Sequence, residues 1–461
     1  MTSSRLTIPV VLLSSVTLAL GCTHRSSPTA ASAPAGKDTS RADYAIQQAY
    51  SDSVEQVRIG KFLGEYQQSA RPFQQAGNDL GEMQLVRQLA SQYPGSSGVR
   101  DMSTQQIATF ASFLGDPLEA LRLFDTLSDD APDSTAQTID TVRLAGLRAA
   151  DAAETIVAAA DSARVIFINE AHHVPQTRLL TLALLEPLRA KGFTYLAAET
   201  LSPFDSSLNA RDFPVRSSGY YSKEPLFGEV LREARRLGYT LVPYEAMSAR
   251  SQDARETGQA TNLRDRIFRE HPDARVLVHA GYSHINESGV LAGAKPMAVR
   301  FREVTGIDPL TVDQTIMREH STRAKEHPAY RSVVDRAAQT RPFVLIEANG
   351  RPWTNKPGTH DMTVLLPRTQ LRDGRPDWFW RAGNRQPYQV RGSICAGHDV
   401  CVVTARLATE SADAVPRDVL LLRPNDAQQT LALPAGRYVV TVRDPAGRTL
   451  SDTTVTIAPR G

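Results

Sequence analysis

Val165-Ile166-Phe167-Ile168-Asn169-Glu170-Ala171-His172-His173 is the stretch that decides the fold. An apolar run passes directly into polar groups, the signature of a strand reaching the edge of its sheet. Three further segments repeat it: Phe193 to Ala198 runs into Glu199, Tyr239-Thr240-Leu241-Val242 into Pro243-Tyr244-Glu245, and Val276-Leu277-Val278-His279 into Ala280-Gly281-Tyr282-Ser283-His284. The intervening segments read as helices. Thr177 to Leu188 carries Leu at 179, 180, 182, 184, 185 and 188, with Gly192 as its stop. Crossovers of this kind make the strands parallel. The fold class expected is α/β, a mostly parallel sheet with flanking helices.

In open parallel sheets, ligands bind beyond the carboxyl ends of the strands. Parallel strands bring these ends to one edge, so Glu170, His172, His173, Glu199, Glu245 and His284 are expected to share a cleft although they span more than a hundred residues. Carboxylates beside imidazoles are what general-base work or metal binding requires. Glu245 or His279 alone reads more simply as structural. His360-Asp361, near the end of the α/β region, is either a further contributor or the start of a strand.

Upstream, residues 41–127 read as helical, with apolar positions at three- and four-residue spacing: Val54, Val57, Phe62, then Leu80, Met83, Val86, Leu89. Asp116-Pro117-Leu118-Glu119 is a helix start, and Phe110, Phe113, Leu114, Leu121 and Phe124 read as core. No chemical motif lies here, and the region reads as a helical support or partner surface. Residues 128–137 are an acidic, turn-rich linker. The domains expected are therefore 41–137 helical, 138–370 α/β and 371–461 a small β-sandwich-like module. In the last, Arg437 to Val442, a turn at Asp444-Pro445-Ala446-Gly447 and Thr453 to Ile457 form a hairpin. Trp378, Phe379, Trp380 and Tyr388 read as a buried aromatic cluster joining two domains, ahead of a sugar- or partner-binding patch.

The first segment reads as an address. Arg5 precedes an apolar stretch from Ile8 to Leu20, too short to span a bilayer but right for a secretory signal. Ala19-Leu20-Gly21-Cys22 resembles the bacterial lipobox, with Ala19 and Leu20 exchanged relative to the usual order. Residues 1–21 are expected to be removed as a lipoprotein signal peptide, leaving a lipidated Cys22 and a Ser/Thr/Ala/Pro-rich tether over 22–40. That places the protein in a bacterial cell envelope, anchored to the outer membrane and facing the periplasm, with membrane contact through the lipid alone. In such an oxidising setting Cys395 and Cys401 are expected to pair as a structural disulfide.

The composition is that of an ordinary globular protein of 461 residues, with 41% hydrophobic and 22% charged residues, which excludes collagen-like, coiled-coil and wholly disordered readings. Three cysteines exclude a disulfide-built scaffold or a cysteine-rich zinc fold. The balance of 52 basic against 50 acidic residues gives +2, so no nucleic-acid partner is expected.

Residues 160–320 resemble the superfamily of erythromycin esterases, ChaN-type haem-binding lipoproteins and Tiki/TraB-type proteins. Val165 to His173 is similar to the family's apolar strand followed by Gly-Glu and a nearby His, with Asn169 where the family has Gly. The esterase spacing selects His173. The haem-binder and Tiki spacing selects His172, with Pro175 also in place. Gly192 to Glu199 resembles the strand delivering the second Glu. Val276 to His284 resembles the later Gly-x-x-His, and Gly281 stands where the esterases have His. Arg255-Glu256 is similar to an Arg-acid pair of many members, while Arg178 fits another basic site position poorly.

The resemblance implies a hydrolase acting on a small-molecule or peptide substrate. His173 or His172 would be the general base, oriented by Glu170 and Glu199, and Arg255 and His284 would meet developing negative charge. It also leaves open a divalent metal on Glu170, His172, Glu199 and His284, or haem held by His172, His279 or His284.

Overall fold

The computed structural model describes residues 39–127 and 141–459, with side chains from Asp52 onward. The signal segment, Cys22, the tether up to residue 38 and the linker 128–137 lie outside the described residues.

The helical region comprises α1 (Thr39–Ala76), α2 (Asp79–Ala90), α3 (Ser97–Phe113) and α4 (Pro117–Phe124). Leu80, Met83, Val86 and Leu89 are all buried, and Phe62 joins them, whereas Val57 is 58% exposed. The helix start at Asp116 forms as read: its carboxylate accepts the Glu119 N–H, and Pro117, which has no N–H to lose, occupies the first turn.

The α/β region runs α5 (Thr141–Gly146), β1 (Arg148–Asp151), α6 (Ala152–Ala159), β2 (Val165–Glu170), α7 (Thr177–Ala190), β3 (Phe193–Ala198), α8 (Pro225–Arg236), β4 (Thr240–Pro243), α9 (Gln252–Leu263), β5 (Arg275–Gly281), α10 (Met297–Thr305), β6 (Leu310–Asp313), α11 (Pro328–Ala337), β7 (Phe343–Ile346) and β8 (Met362–Leu365). These strands form one eight-stranded sheet in the order β1-β7-β8-β6-β2-β5-β3-β4. Every pairing from β8 to β4 is parallel; the β8–β7 and β7–β1 pairings are antiparallel. β2 and β5 are buried along nearly their whole length and β3 at its carboxyl end, as expected of strands covered on both faces. One cluster around Ile166, Leu184, Leu231 and Leu277 fills one face, and another around Phe167, Val278, Ile267 and Phe301 fills the other.

The C-terminal module contains the short strands β9 (Leu371–Arg372) and β10 (Arg375–Pro376), then β11 (Gln386–Val390), β12 (Cys401–Leu407), β13 (Asp418–Leu422), β14 (Gln429–Leu433), β15 (Gly436–Arg443) and β16 (Thr449–Ile457). β11 pairs with β14, and a four-stranded antiparallel sheet runs β13-β12-β15-β16. The expected hairpin is β15–β16, and Cys395 and Cys401 are disulfide-bonded inside this core. Trp378, Phe379 and Trp380 are buried against Leu179, Leu182 and Leu226 of the α/β region, so the aromatic cluster joins two domains; Tyr388 is only partly buried and packs within the module.

The helical region is fastened to both other parts. The backbone at Gly115 approaches Val419 of β13 so closely that an added Cβ would lie 1.9 Å from the Val419 carbonyl oxygen. Arg216 pairs with Asp79, and Asn78 donates to the Pro445 carbonyl. Among the described residues, no helix is long and apolar enough to cross a membrane.

Candidate functional site

Register sets the site. Glu170 at the end of β2 lies level with Gly281 at the end of β5, and Glu199 immediately follows β3, its N–H bonded to the His279 carbonyl of β5. Three parallel strands that are neighbours in the sheet thus deliver their polar ends to one edge.

The first half of the site is built around Glu170. The chain turns through 171–176 into α7, whose first turn swings Arg178 back over the strand end. Arg178 Nε donates to Glu170 Oε2 at 2.7 Å, Nη1 to Glu224 Oε2 at 2.8 Å and Nη2 to the His172 carbonyl at 3.0 Å. Glu224 caps α8 by accepting the Phe227 N–H. Glu170 Oε1 takes the remaining contact, His172 Nδ1 at 2.8 Å. His279 Nε2 lies 3.2 Å from Glu170 Oε2, and its Nδ1 meets the Thr181 hydroxyl at 2.9 Å. Burial opposes a charge on Glu170, but Arg178 and the two imidazoles outweigh it and hold the carboxyl well below the usual range.

The second half is built around Glu199. Arg255, from α9, donates through Nη2 to Glu199 Oε1 at 2.5 Å and to Glu245 Oε2 at 2.5 Å. Its Nη1 lies 2.8 Å from His284 Nε2, and Glu256 holds the other ring nitrogen at 2.7 Å. Glu199 Oε2 accepts the Gly281 N–H at 2.6 Å. Burial raises the Glu199 pKa, while His284, Arg255, His172 and that N–H lower it, for a result of about 2. Arg255 and His284 therefore face the carboxylates and each other. The expectation that they meet charge developing on a substrate is not what this arrangement provides: both are buried behind Glu199 and hold it in place.

The adjacent histidines separate clearly. His172 is bonded to Glu170, and its ring lies over Gly281, where an added Cβ would stand 2.6 Å from Nε2 and 3.2 Å from Glu199 Oε2. His172 Nε2 and Glu199 Oε2 thus both lie beside Gly281, where any larger residue would force the imidazole to shift. The Tyr221 ring stacks on His172 at 3.8 Å, and Tyr282 meets it edge-on at 5.0 Å. Tyr282 has φ 40, a left-handed conformation unfavourable for a bulky residue and of the kind that clusters at functional sites. His173 points away. It is buried, stacked on Phe124 of α4 at 3.7 Å, with Nδ1 3.1 Å from the Tyr282 hydroxyl. Burial, with Arg318 and His320 adding repulsion, depresses its pKa far below the ordinary value, so it is neutral. Of the two, His172 is the one that lies between Glu170 and Glu199.

The site includes residues that motif spacing under-read or missed. Arg178, whose spacing fitted poorly, is the cation on Glu170. Tyr221 and Phe124 lie far from the motifs in sequence, and no residue pattern announces a ring stacked on an imidazole. Glu245 belongs to the Glu199 cluster and His279 to the Glu170 cluster. Asn169 ties β2 to β6 and to the Tyr282 turn: its amide donates to Asp313 and the Tyr282 carbonyl, and its side-chain oxygen accepts the Gln314 N–H. His360-Asp361 stays apart from both carboxylate clusters. Asp361 accepts the Thr311 N–H just before β8, the strand-start reading, and His360 pairs with Asn286.

The donor set does not fit the divalent metal left open by sequence. Glu170 and Glu199 already face guanidinium groups, so a divalent ion would meet two fixed positive charges, and the four candidate ligands divide between two clusters. Among the described residues no group of three or more His, Cys, Asp or Glu side chains is arranged to hold a metal ion. For haem, both ring nitrogens of His284 are engaged by Arg255 and Glu256, and His279 is buried with Nδ1 on the Thr181 hydroxyl and Nε2 3.2 Å from Glu170, so of the three candidates only His172 keeps a ring nitrogen directed away from its protein partner.

No family model matches the chain, and no curated protein matches it. Solved structures that are similar include one described as bacterial protein toxins, at 16% identity and a TM-score of 0.28, over 46% of this chain and 45% of that one. Another is RRSP, a MARTX toxin effector domain from Vibrio vulnificus CMCP6, at 16% identity and a TM-score of 0.25, over 52% of this chain and 49% of that one. The chain thus spans about half the length of these structures, and the similarity is too distant to bear on chemistry.

Proposed function

We propose that this chain is a hydrolase of the bacterial cell envelope, lipid-anchored through Cys22, acting on a small-molecule or peptide substrate with His172 as its general base. The observation that carries the reading is the placement of His172. Glu170 orients its Nδ1 at 2.8 Å, and its Nε2 lies beside Gly281, as Glu199 Oε2 does. A carboxylate on one ring nitrogen fixes the orientation and leaves the other to take a proton.

In this reading a water molecule between Nε2 and Glu199 gives its proton to His172 as it attacks the substrate carbonyl. Glu199, held ionised by the Arg255 and His284 cluster, stabilises the imidazolium that forms. The proton then passes from Nε2 to the leaving group. Arg178 keeps Glu170 charged throughout, and Arg255 does the same for Glu199. Proton transfer of this kind contributes about a hundred- to ten-thousand-fold in rate.

The test is a screen of ester and peptide substrates with and without EDTA. On a hit, His172→Ala and Glu199→Ala should each lower kcat by at least about a hundredfold, His173→Phe should leave the rate within a fewfold, and EDTA should have no effect. Full activity in both His172→Ala and Glu199→Ala would overturn the mechanism. A Soret band that develops on incubation with haem and is lost in His172→Ala would favour haem capture instead.

A further inference from the structure

Six arginines of the described residues are buried: Arg178, Arg232, Arg255, Arg318, Arg375 and Arg385. Five have carboxylate partners. Arg178 holds Glu170 and Glu224, Arg232 holds Glu410, Arg255 holds Glu199 and Glu245, Arg375 holds Asp418, and Arg385 lies 3.7 Å from Glu229. Arg318 is the exception. It is 4% exposed, and its described bonds run only to carbonyls: Nε to Thr315 at 3.1 Å and Nη1 to Glu319 at 3.2 Å. An arginine is almost never buried without a counter-charge, because removing a cation from water costs several kcal/mol (roughly). Its neighbour Glu319 does not serve: both oxygens of that carboxylate accept from the Thr369 N–H, one also takes the Thr369 hydroxyl, and burial raises its pKa.

Arg318 lines a narrow cleft at the carboxyl edge of the sheet. The other walls are Leu118 and Leu121 of α4, Val174 and Pro175 after β2, and Trp378 of the C-terminal module. Three parts of the chain thus converge on one guanidinium. Val174 and Pro175 of its wall directly follow His172 and His173 in the chain, so the cleft lies beside the candidate site.

We propose that this cleft, about 20 Å³ in volume, is a binding subsite for the carboxylate headgroup of a slender ligand, with the Arg318 guanidinium as its cation and the exposed Leu118 at the rim meeting the carbon chain that leads out of it. The chemistry selects a carboxylate over a phosphate. Nε and one N–H of Nη1 are committed to carbonyls, which leaves three of the five guanidinium N–H groups to meet a planar carboxylate, and the apolar walls and Glu319 disfavour a dianion. The assignment is independent of which reaction His172 performs.

The experiment uses the full chain and 4,4,4-trifluorobutyrate, followed by fluorine NMR. Saturable broadening of the probe, displaced by butyrate, is expected; 4,4,4-trifluorobutanol should show none, and inorganic phosphate should displace the probe at least tenfold less effectively. Arg318→Met, checked for native circular dichroism, should weaken probe binding at least tenfold, while His172→Ala should bind like the parent chain. No saturable binding by the parent chain, equal binding of the alcohol, displacement by phosphate as readily as by butyrate, or unchanged affinity in Arg318→Met would each overturn the subsite. An equal loss in His172→Ala would move the anion to the neighbouring site and overturn it too.

Discussion

Glu170 and Glu199 stand at the ends of strands in the same sheet, each held ionised by a buried arginine, yet they are built in opposite ways. The Glu170 half is largely local: Glu170, His172 and Arg178 lie within nine residues, on β2 and the first turn of α7. The Glu199 half is assembled from β3, the end of β4, α9 and the turn after β5, so Arg255 and Glu199 meet across 56 positions. A local cluster depends on one turn. A distant cluster depends on the register of the whole sheet, and it reports whether that sheet is intact.

Removing the arginine from each half tests the contrast most strongly. Arg255→Met strands Glu199 and Glu245, and Arg178→Met strands Glu170 and Glu224; each is expected to cost about 3–5 kcal/mol in denaturant unfolding. Equal losses with an unchanged denaturant slope would fit two clusters in one cooperative unit. A loss confined to Arg255→Met would show that the local half survives without its cation, and would break the comparison.

Gly281 is where the halves touch. In Gly281→Ala the new methyl group would meet the His172 ring at 2.5 Å and Glu199 at 3.2 Å. Overpacking of this kind costs about 1–3 kcal/mol. The imidazole should leave Glu170, visible as a change in the His172 ring signals by NMR, and unaltered signals would mean that the glycine is not the contact between them.

Acid should loosen both halves. A carboxyl whose folded pKa is depressed contributes stability above its unfolded value and loses it as pH falls through the folded one. For Glu199 the window runs from about 4.5 down to about 2, and Glu170 shifts in the same direction. Glu199→Gln should flatten the fall in stability across that window. A slope identical to the parent chain would show that the carboxylate carries none of it.

The smallest effect belongs to the contact between helical region and site. Phe124→Leu removes the ring stacked on His173 while keeping an apolar side chain, at a cost of about 0.5–1.5 kcal/mol. If the helical region only covers His173, the Glu170–His172 bond and its NMR signature should persist. Loss of that signature would make α4 part of the machinery.

Much of this was legible in the residues. The apolar runs ending in Glu170, Glu199, Glu245 and His284 were visible, and parallel strands have to bring such ends together. The hairpin, the disulfide and the interdomain aromatics followed from local pattern too. The choice between His172 and His173 did not. They are neighbours in sequence with the same chemistry, and only Phe124 on one ring and Gly281 beneath the other separate them.

By itself, then, the sequence determined that β2 to β5 form and run parallel, and which acids and imidazoles reach the sheet edge with them, because strand periodicity and crossover length are local properties of the chain; the antiparallel β7 and β1 came only with the structure. The tertiary structure alone decided which histidine lies beside Glu199, that Arg178 and Arg255 neutralise the two carboxylates, and that Arg318 has no carboxylate partner among the described residues. Those outcomes depend on distances between side chains far apart in sequence, where differences of an ångström decide which groups pair.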